Sequence, residues 1–369
     1  MKKKILHIAE AFGGGVFTYL TSLANATCEE FDVTIAYTLR PQTPDEFEKN
    51  LDSRVHLIEM HEVKREINLV QDLKGGFEIY KIYCQVEPDF VHLHSSKAGF
   101  LGRMVIDCRR NHVIYTPHGY SFLKKDDSAM VRKIYKMIER VAAIKGGEIV
   151  GVSKGEYDES LALTKHATYV NNGIDLKSIN TIGIDNVTEI NTKELRIGTM
   201  GRICYQKNPE TFNEIARSLP DDLFMWIGDG EMRAVLDQDN IVISGWMEQS
   251  EAIQQLGNIN VFVLPSLWEG LSIALLEAMY LKKICIVSDV IGNRDVIVHG
   301  ENGFIANTAD DYVRIIQEIK AGKWDIEKIV ARAYQDVCEK YNIDVMCQKY
   351  IKIYRKAKKV KRRWKRKSA

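Results

Sequence analysis

The sequence predicts an α/β protein made of two doubly wound domains with parallel sheets, and three observations carry that reading. Short apolar runs alternate with helix-length segments along most of the 369 residues, the pattern of repeated βα units. The series occurs twice, and the polar stretch from Asn180 to Glu194 reads as the linker between the halves. Glycine, histidine and charged residues gather just after the apolar runs, and in open α/β sheets ligands bind at the carboxyl ends of strands. The expected domains are 1–179 and 180–340, followed by a helix and basic tail over 341–369.

In the first half the expected strands are Ile5–Ala9, Val33–Tyr37, Val55–Met60, Phe90–His94, Val113–Thr116 and Ile149–Val152, all short and apolar. Helices are expected over Val16–Ala26, Asn68–Gln85, Ala98–Arg109 and Ser128–Ile144. The second series runs through Leu195–Gly198, Leu223–Ile227, Ile241–Ser244, Val261–Leu264 and Ile284–Val287, and the chain reads as helical after Asp325. Val131–Lys145 is basic among apolar residues, either part of a membrane-facing surface or a plain amphipathic helix packed on the first domain.

Composition narrows the class. With 45% hydrophobic and 27% charged residues the chain is globular. Lys2–Lys4 precede an apolar run too short for a signal peptide, no run of about eighteen apolar residues exists to span a bilayer, and seven scattered cysteines suit a reducing cytosol. The net charge of +1 hides an asymmetry: residues 352–369 hold eleven Lys or Arg and no acid, leaving a body of 40 basic and 50 acidic side chains. Lys352–Lys367, with Tyr354 and Trp364 among the cations, suits an anionic membrane surface or simply a solvated tail; nucleic acid is not an expected partner.

The most informative stretch is Pro265–Met279, with Glu269 and Glu277 eight positions apart on an otherwise apolar segment. The segment from Leu271 to Leu281 reads as a buried helix, so a carboxylate at Glu277 needs a hydrogen-bonding partner. Glu269 precedes the helix beside the N–H groups of Gly270, Leu271 and Ser272, which suit anionic oxygens. About six helical residues, roughly 9 Å, separate the two carboxylates, a span that fits the polar ends of a nucleotide-sugar. The plainer alternative is a carboxylate answering a helix dipole and a core ion pair at Glu277.

Other strand ends carry chemistry too. Gly13-Gly14-Gly15 follows the first strand; it lacks the third glycine of GxGxxG, so it is either a phosphate loop or a tight turn. Thr116-Pro117-His118-Gly119 holds an imidazole just beyond a strand. Arg202 and Lys207, five residues apart across a loop, suit a diphosphate, Arg as a fork and Lys as a point charge, with ordinary surface charge as the alternative. His92 and His94 alternate on one strand without an acidic or thiolate complement, and Asp237-Gln238-Asp239 reads as a turn, so no metal site is expected.

Taken together, these pieces resemble the retaining, nucleotide-sugar-dependent glycosyltransferases of family 4, which have the two-domain GT-B fold of facing Rossmann-like domains. The resemblance rests on the order of the glycine loop, His94-Ser95-Ser96-Lys97-Ala98-Gly99, Thr116–Gly119, Val152-Ser153-Lys154, Asn172-Gly173-Ile174-Asp175, Gly201-Arg202 with Lys207-Asn208, Gly228-Asp229-Gly230, and the two-glutamate segment. The variants around His94–Gly99 and Thr116–Phe122 look most like enzymes of bacterial capsule, exopolysaccharide or O-antigen assembly.

The resemblance implies a cleft between the domains and residue roles within it. Arg202 and Lys207 would hold the donor diphosphate without a metal, and no cofactor is implied. Glu269 with Gly270, Leu271 and Ser272 would hold the donor sugar and distal phosphate, Glu277 the ribose hydroxyls. Gly14 and Gly15 would close over the phosphates, and His118 would face the transferred sugar. The C-terminal helix would pack back on the first domain. The implied reaction moves a sugar from a nucleoside diphosphate donor, UDP the expected nucleotide, to a lipid-linked oligosaccharide at the inner face of the plasma membrane. An epimerase using the same donor cleft, or a non-catalytic nucleotide-sugar-binding scaffold, are the competing classes. Two departures stand out: Val16-Phe17 follows the glycines where the family often has a polar residue, and Gly292-Asn293-Arg294-Asp295 replaces a Gly-Gly segment followed by Glu.

Overall fold

The computed structural model describes residues 2–40, 43–64, 66, 68–182 and 195–356. In chain order the elements are β1 (Lys4–Phe12), α1 (Gly14–Thr27), β2 (Asp32–Leu39), β3 (His56–Glu59), α2 (Leu69–Val86), β4 (Phe90–His94), α3 (Ser96–Val105), β5 (His112–Thr116), α4 (Ala129–Lys145), β6 (Glu148–Gly151), α5 (Lys154–Leu161), β7 (Ala167–Tyr169) and α6 (Leu176–Thr181). The second half holds β8 (Arg196–Met200), α7 (Pro209–Ser218), β9 (Leu223–Ile227), β10 (Ile241–Ile243), α8 (Gln249–Gly257), β11 (Val261–Leu264), α9 (Ile273–Tyr280), β12 (Ile284–Ser288), β13 (Phe304–Ala306), α10 (Ala309–Lys320), α11 (Ile326–Lys340) and α12 (Ile343–Lys356).

Two parallel sheets result, ordered β3-β2-β1-β4-β5-β6-β7 and β10-β9-β8-β11-β12-β13. Both reverse direction at the first strand, between β1 and β4 and between β8 and β11, and such switch points open crevices at the strands' carboxyl ends. Interior strands read as unbroken apolar runs because helices cover both faces: all of β11 is buried. The three-residue strands β7 and β13 are additions to the sequence reading, too short for a periodic signal.

Helix ends follow local chemistry. Asn68, Ser128, Ser153 and Asn208 each accept a backbone N–H at the start of α2, α4, α5 and α7. The helical stretch after Asp325 breaks at Tyr341 and Asn342, where Ile174 of the first half donates its N–H to the Tyr341 carbonyl and accepts from Ile343 N–H. That break turns α12 onto α1, and its Tyr350 and Tyr354 are buried in the first core. Tyr354 is therefore a core residue rather than part of a cationic surface, and Arg355 is bound to Glu30. The rest of the basic tail, and the linker from 183 to 194, lie outside the described residues.

On α4 the buried edge carries Glu139 and Ala142. Glu139 takes Arg103 of α3 at 2.7 Å and the Tyr115 hydroxyl of β5 at 2.8 Å. The opposite ridge of α4, including Met130, Met137 and Ile144, is exposed. No helix among the described residues is long and apolar enough to cross a membrane.

Candidate functional site

The carboxyl ends of both sheets face a shared cavity of about 510 Å³, lined from both domains. From the first domain come Gly13, Gly14 and Gly15. Gly14 takes φ +53, a left-handed value that glycine adopts without strain, and a Cβ at Gly14 or Gly15 would meet nothing within 4 Å. The loop thus presents bare backbone to the cavity. Val16 and Thr18 also line it, while Phe17 turns inward onto Phe12 and Phe47; the departure at Val16-Phe17 is divided between wall and core.

The second domain supplies most of the charges; Lys124 and Asp126 come from the first. Gly201 and Arg202 leave β8, and Arg202 Nε binds Glu231 at 2.8 Å. Lys207 ends a short turn and its Nζ reaches Glu269 Oε1 at 2.7 Å. The two loops are pinned together by Leu267 N–H to the Gln206 carbonyl at 2.8 Å and Gln206 Nε2 to the Trp268 carbonyl at 2.9 Å. Gly270, Leu271 and Ser272 lead into α9, which Ser272 caps by accepting from Leu275 N–H. All three line the cavity, at a helix start where backbone N–H groups suit anionic oxygens.

Glu277, one turn into α9, lines the same cavity and is 3% exposed. Its contact is Gln249 Nε2 at 3.3 Å, and burial pushes its pKa up to about 8. No cation pairs with it among the described residues, so the core-ion-pair alternative is set aside. A carboxyl that keeps its proton at neutral pH can both donate and accept, which suits a pair of neighbouring hydroxyls.

The domains meet in a seam beside these residues. A Cβ on Gly270 would lie 2.9 Å from Gly119 N and 3.2 Å from the His118 carbonyl carbon, so only glycine lets the two walls meet there. Asn172 Nδ2 donates to the Leu271 carbonyl at 2.8 Å, and Asp295 accepts from Gly155 N–H at 2.8 Å and from Gly292 N–H at 3.1 Å. Asp295, a departure from the family pattern, is thus a tie between the domains.

His118 lines the cavity at φ +54 and stacks edge-on against Tyr19. Behind it lies a group of imidazoles that the sequence reading joined only in part. His7 of β1 pairs in register with His92 of β4, and all of His7, His92 and His94 are fully buried. Their ligand atoms lie within 4.8 Å of one another, but hydrogen bonds occupy every ring nitrogen of His92 and His94. His92 binds Tyr354 and Thr116, each at 2.8 Å; His94 binds His118 at 3.1 Å and His7 at 3.0 Å.

Glu156, also missed, accepts from Gly119 N–H at 2.6 Å and Val152 N–H at 2.7 Å, fixing the loop that carries His118. Burial raises its pKa to about 7. The capping pattern Ser153-x-x-Glu156 marks it in the sequence. Gln238 and Asp239 do belong to a turn, closed by Ile241 N–H to the Gln238 carbonyl, and Asn213 holds the carboxylate of Asp237 just before it.

Comparison with known proteins matches residues 13–178 to Glycosyltransferase Family 4 and residues 182–336 to Glycosyl transferases group 1. One relative is the UDP-Gal:alpha-D-GlcNAc-diphosphoundecaprenol alpha-1,3-galactosyltransferase of Escherichia coli, 28% identical over 74% of this chain and 77% of the relative. Another is the capsular polysaccharide biosynthesis glycosyltransferase CapM of Staphylococcus aureus, 25% identical over 71% of this chain and 74% of its own length. Among solved structures, Anabaena HepE in complex with UDP and glucose superposes with a TM-score of 0.73 at 14% identity, covering 96% of this chain and 100% of that one.

Proposed function

Because the chain belongs to the group 1 glycosyl transferases, with a family 4 N-terminal half and the GT-B fold, we propose that it transfers one sugar, with retention, from a UDP-sugar to a lipid-linked oligosaccharide in bacterial surface polysaccharide assembly. The observation that carries this reading is the Lys207–Glu269 pair at 2.7 Å beside the Gly270–Ser272 turn and Glu277, all on one wall of the cavity. Lys207 and Arg202 bring positive charge to the donor diphosphate and to the leaving nucleoside diphosphate. Glu269 takes the sugar, Glu277 the ribose, and Gly14 with Gly15 covers the phosphates. His118 faces the sugar from the other wall. The acceptor hydroxyl attacks the anomeric carbon on the face from which the phosphate leaves; the sugar–phosphate bond breaks and the departing phosphate oxygen takes the hydroxyl proton. No protein nucleophile or metal is required in this scheme.

The test is transfer from a panel of nucleotide-sugars to a diphosphoundecaprenol-linked acceptor, with and without a chelator, and NMR of the product's anomeric configuration. A retained linkage formed equally in chelator is expected. Sugar interconversion by donor alone would instead identify an epimerase, and no reaction with any donor would leave only binding.

The same reading brings the enzyme to its acceptor at a membrane, and the exposed helices of the first domain suit that contact better than the tail alone. Leu69, Leu73 and Phe77 form one ridge on α2, and Met130, Met137 and Ile144 another on α4, each at least 59% exposed. The two helices flank α3 on the same side of the sheet. Exposed Lys74 and Lys81 on α2, and Lys133, Arg140 and Lys145 on α4, accompany them, so an anionic bilayer matches both the apolar surface and the charge. Co-sedimentation with phosphatidylglycerol vesicles should be lost in Phe77→Glu/Met137→Glu and fall with salt. Binding unchanged by that pair, but lost on removing 357–369, would return the role to the tail.

A further inference from the structure

His118, His94 and His7 form an unbroken file of imidazoles running from the cavity wall into the interior of the first sheet. The contacts are His118 Nε2 to His94 Nδ1 at 3.1 Å and His94 Nε2 to His7 Nδ1 at 3.0 Å. Ring centroids are 5.3 and 5.2 Å apart with interplanar angles of 24° and 29°, the arrangement of rings meeting edge to edge along a hydrogen bond. Burial holds each imidazole neutral: His7 and His118 are pushed down to about 3, and His94 falls well below its usual range.

A neutral imidazole has one N–H and one bare nitrogen, so two consecutive N–H···N bonds can run in only two directions. If the protons point inward, His7 Nε2 carries an N–H. That atom is buried and has no partner among the described residues, and a buried N–H without an acceptor is the rarer and more costly kind of orphan. If they point outward, His7 Nε2 is merely a bare nitrogen, and both shared bonds form. His118 Nε2 is then an acceptor, and its remaining proton sits on Nδ1, on the opposite side of the ring from His94.

We propose that His94 and His7 are positioning residues that lock His118 in the Nδ1–H tautomer, so that it presents a neutral hydrogen-bond donor to a hydroxyl oxygen of the transferred sugar. The sugar contact rests on the function proposed above; the tautomer does not. Tyr19, edge-on to His118 with centroids 4.6 Å apart, keeps the ring from turning. The His92 branch, tied to Tyr354 and Thr116, does not join the file by a hydrogen bond and serves to hold the neighbouring strands and α12.

Two-bond ¹H–¹⁵N correlation of histidine-labelled protein distinguishes protonated from bare ring nitrogens, with His118→Gln used to assign the His118 signals. The wild-type protein should show His118 protonated on Nδ1 alone. In His94→Phe, His118 should populate both tautomers, and kcat should fall by about tenfold, the worth of one oriented hydrogen bond, while the KM for donor stays within about twofold. His94→Asn places an amide N–H where Nδ1 stood, and should restore both the single tautomer and most of kcat. A His118 protonated on Nε2 in the wild type, a His94→Phe enzyme with unchanged tautomer or unchanged kcat, or stoichiometric zinc bound through His7, His92 and His94 would each overturn the proposal. Should His94→Phe fail to fold, the wild-type spectrum and His94→Asn decide. If no donor supports transfer, the function proposal fails while the spectra still decide the tautomer.

Discussion

The two walls of the cavity come from sheets of like strand order, yet the N-terminal wall meets the cavity mainly with glycine backbone and a neutral imidazole, with Lys124 and Asp126 as its charged residues, whereas the C-terminal wall brings Arg202, Lys207, Glu269 and Glu277. The topology fixes where side chains can converge and leaves their chemistry free. In the first domain the file from His118 inward is uncharged because burial keeps it so. In the second, each cation has a carboxylate at hand: Lys207 has Glu269 and Arg202 has Glu231. A charged ligand is therefore expected to be held from one side and enclosed by the other.

The largest expected effect follows from that division. Lys207→Ala and Glu269→Ala should each reduce transfer by about 10³-fold, near the value of one preorganised electrostatic contact in a catalytic site, with unchanged far-UV circular dichroism. Gly14→Ala, on the opposite wall, should cost less, because it removes no charge and adds only a methyl group and the strain of φ +53. Equal losses in steady-state kinetics from the two walls would break the comparison.

Opposite responses to pH sharpen it. His7, His92, His94 and His118 all have lowered pKa values in the fold. As pH falls below 6.5 the unfolded chain takes protons that the folded one refuses, so the N-terminal domain loses stability on acidification. Glu10, Glu148 and Glu156, whose pKa values are raised, oppose this. Below about pH 6 the four imidazoles of the unfolded chain are mostly protonated and outnumber the three carboxyls, which leaves a net loss of stability on further acidification. Glu277 acts in the other sense: with its pKa raised to about 8, the C-terminal domain gains stability as pH falls from 8 toward 4.5. Four of the five tryptophans, Trp226, Trp246, Trp268 and Trp324, lie in that domain and none lies before residue 226. At pH 5.5 thermal unfolding followed by circular dichroism should therefore begin before the tryptophan fluorescence changes. Coincident transitions at pH 5.5 and 7.5 would refute the domain difference.

A smaller effect is expected at the seam where the walls meet. Gly270→Ala puts a methyl group 2.9 Å from Gly119 N, against backbone that cannot rotate away. Overpacking of this kind costs about 1–3 kcal/mol, felt here as a shift of one wall against the other. Donor kcat/KM should fall roughly tenfold to a hundredfold, since small misplacements of reacting groups are costly, with a modest drop in melting temperature. Full activity would mean that the seam yields without disturbing either wall.

How much of this was legible in the sequence differs between the walls for a physical reason. The C-terminal wall is written in contiguous segments: Glu269 through Glu277 is one loop and helix start, and Arg202 to Lys207 one loop, so local spacing exposed them. The N-terminal wall depends on strand pairing. His7 meets His94 across 87 positions, and nothing near Ile5–Ala9 marks one histidine as the end of a file. The ridge of α2 was likewise hidden, since a 3.6-residue apolar period reports a helix without telling which of its faces the domain covers. Three-residue strands such as β7 and β13 are placed by their neighbours in the sheet rather than by their own periodicity.

The smallest change tests whether the C-terminal wall is charged throughout. At pH 7 Glu277 should still hold its proton, because burial raises its pKa to about 8 and Gln249 at 3.3 Å is its hydrogen-bond partner. Glu277→Gln is then a near match in shape and charge, and transfer at pH 7 should fall less than tenfold, the remaining loss reflecting an amide that donates from one atom and accepts at the other in fixed positions. Between pH 4.5 and about 8 the folded wild-type carboxyl keeps a proton that the unfolded chain has lost, so Glu277 makes stability decline as pH rises through that window; the amide does not titrate, and the variant should lose that decline. Thermal scans of both proteins by tryptophan fluorescence from pH 6 to 8.5 read that slope directly. Parallel curves would mean that Glu277 is already ionised at neutral pH, and that the second wall bears one more negative charge than its burial allows.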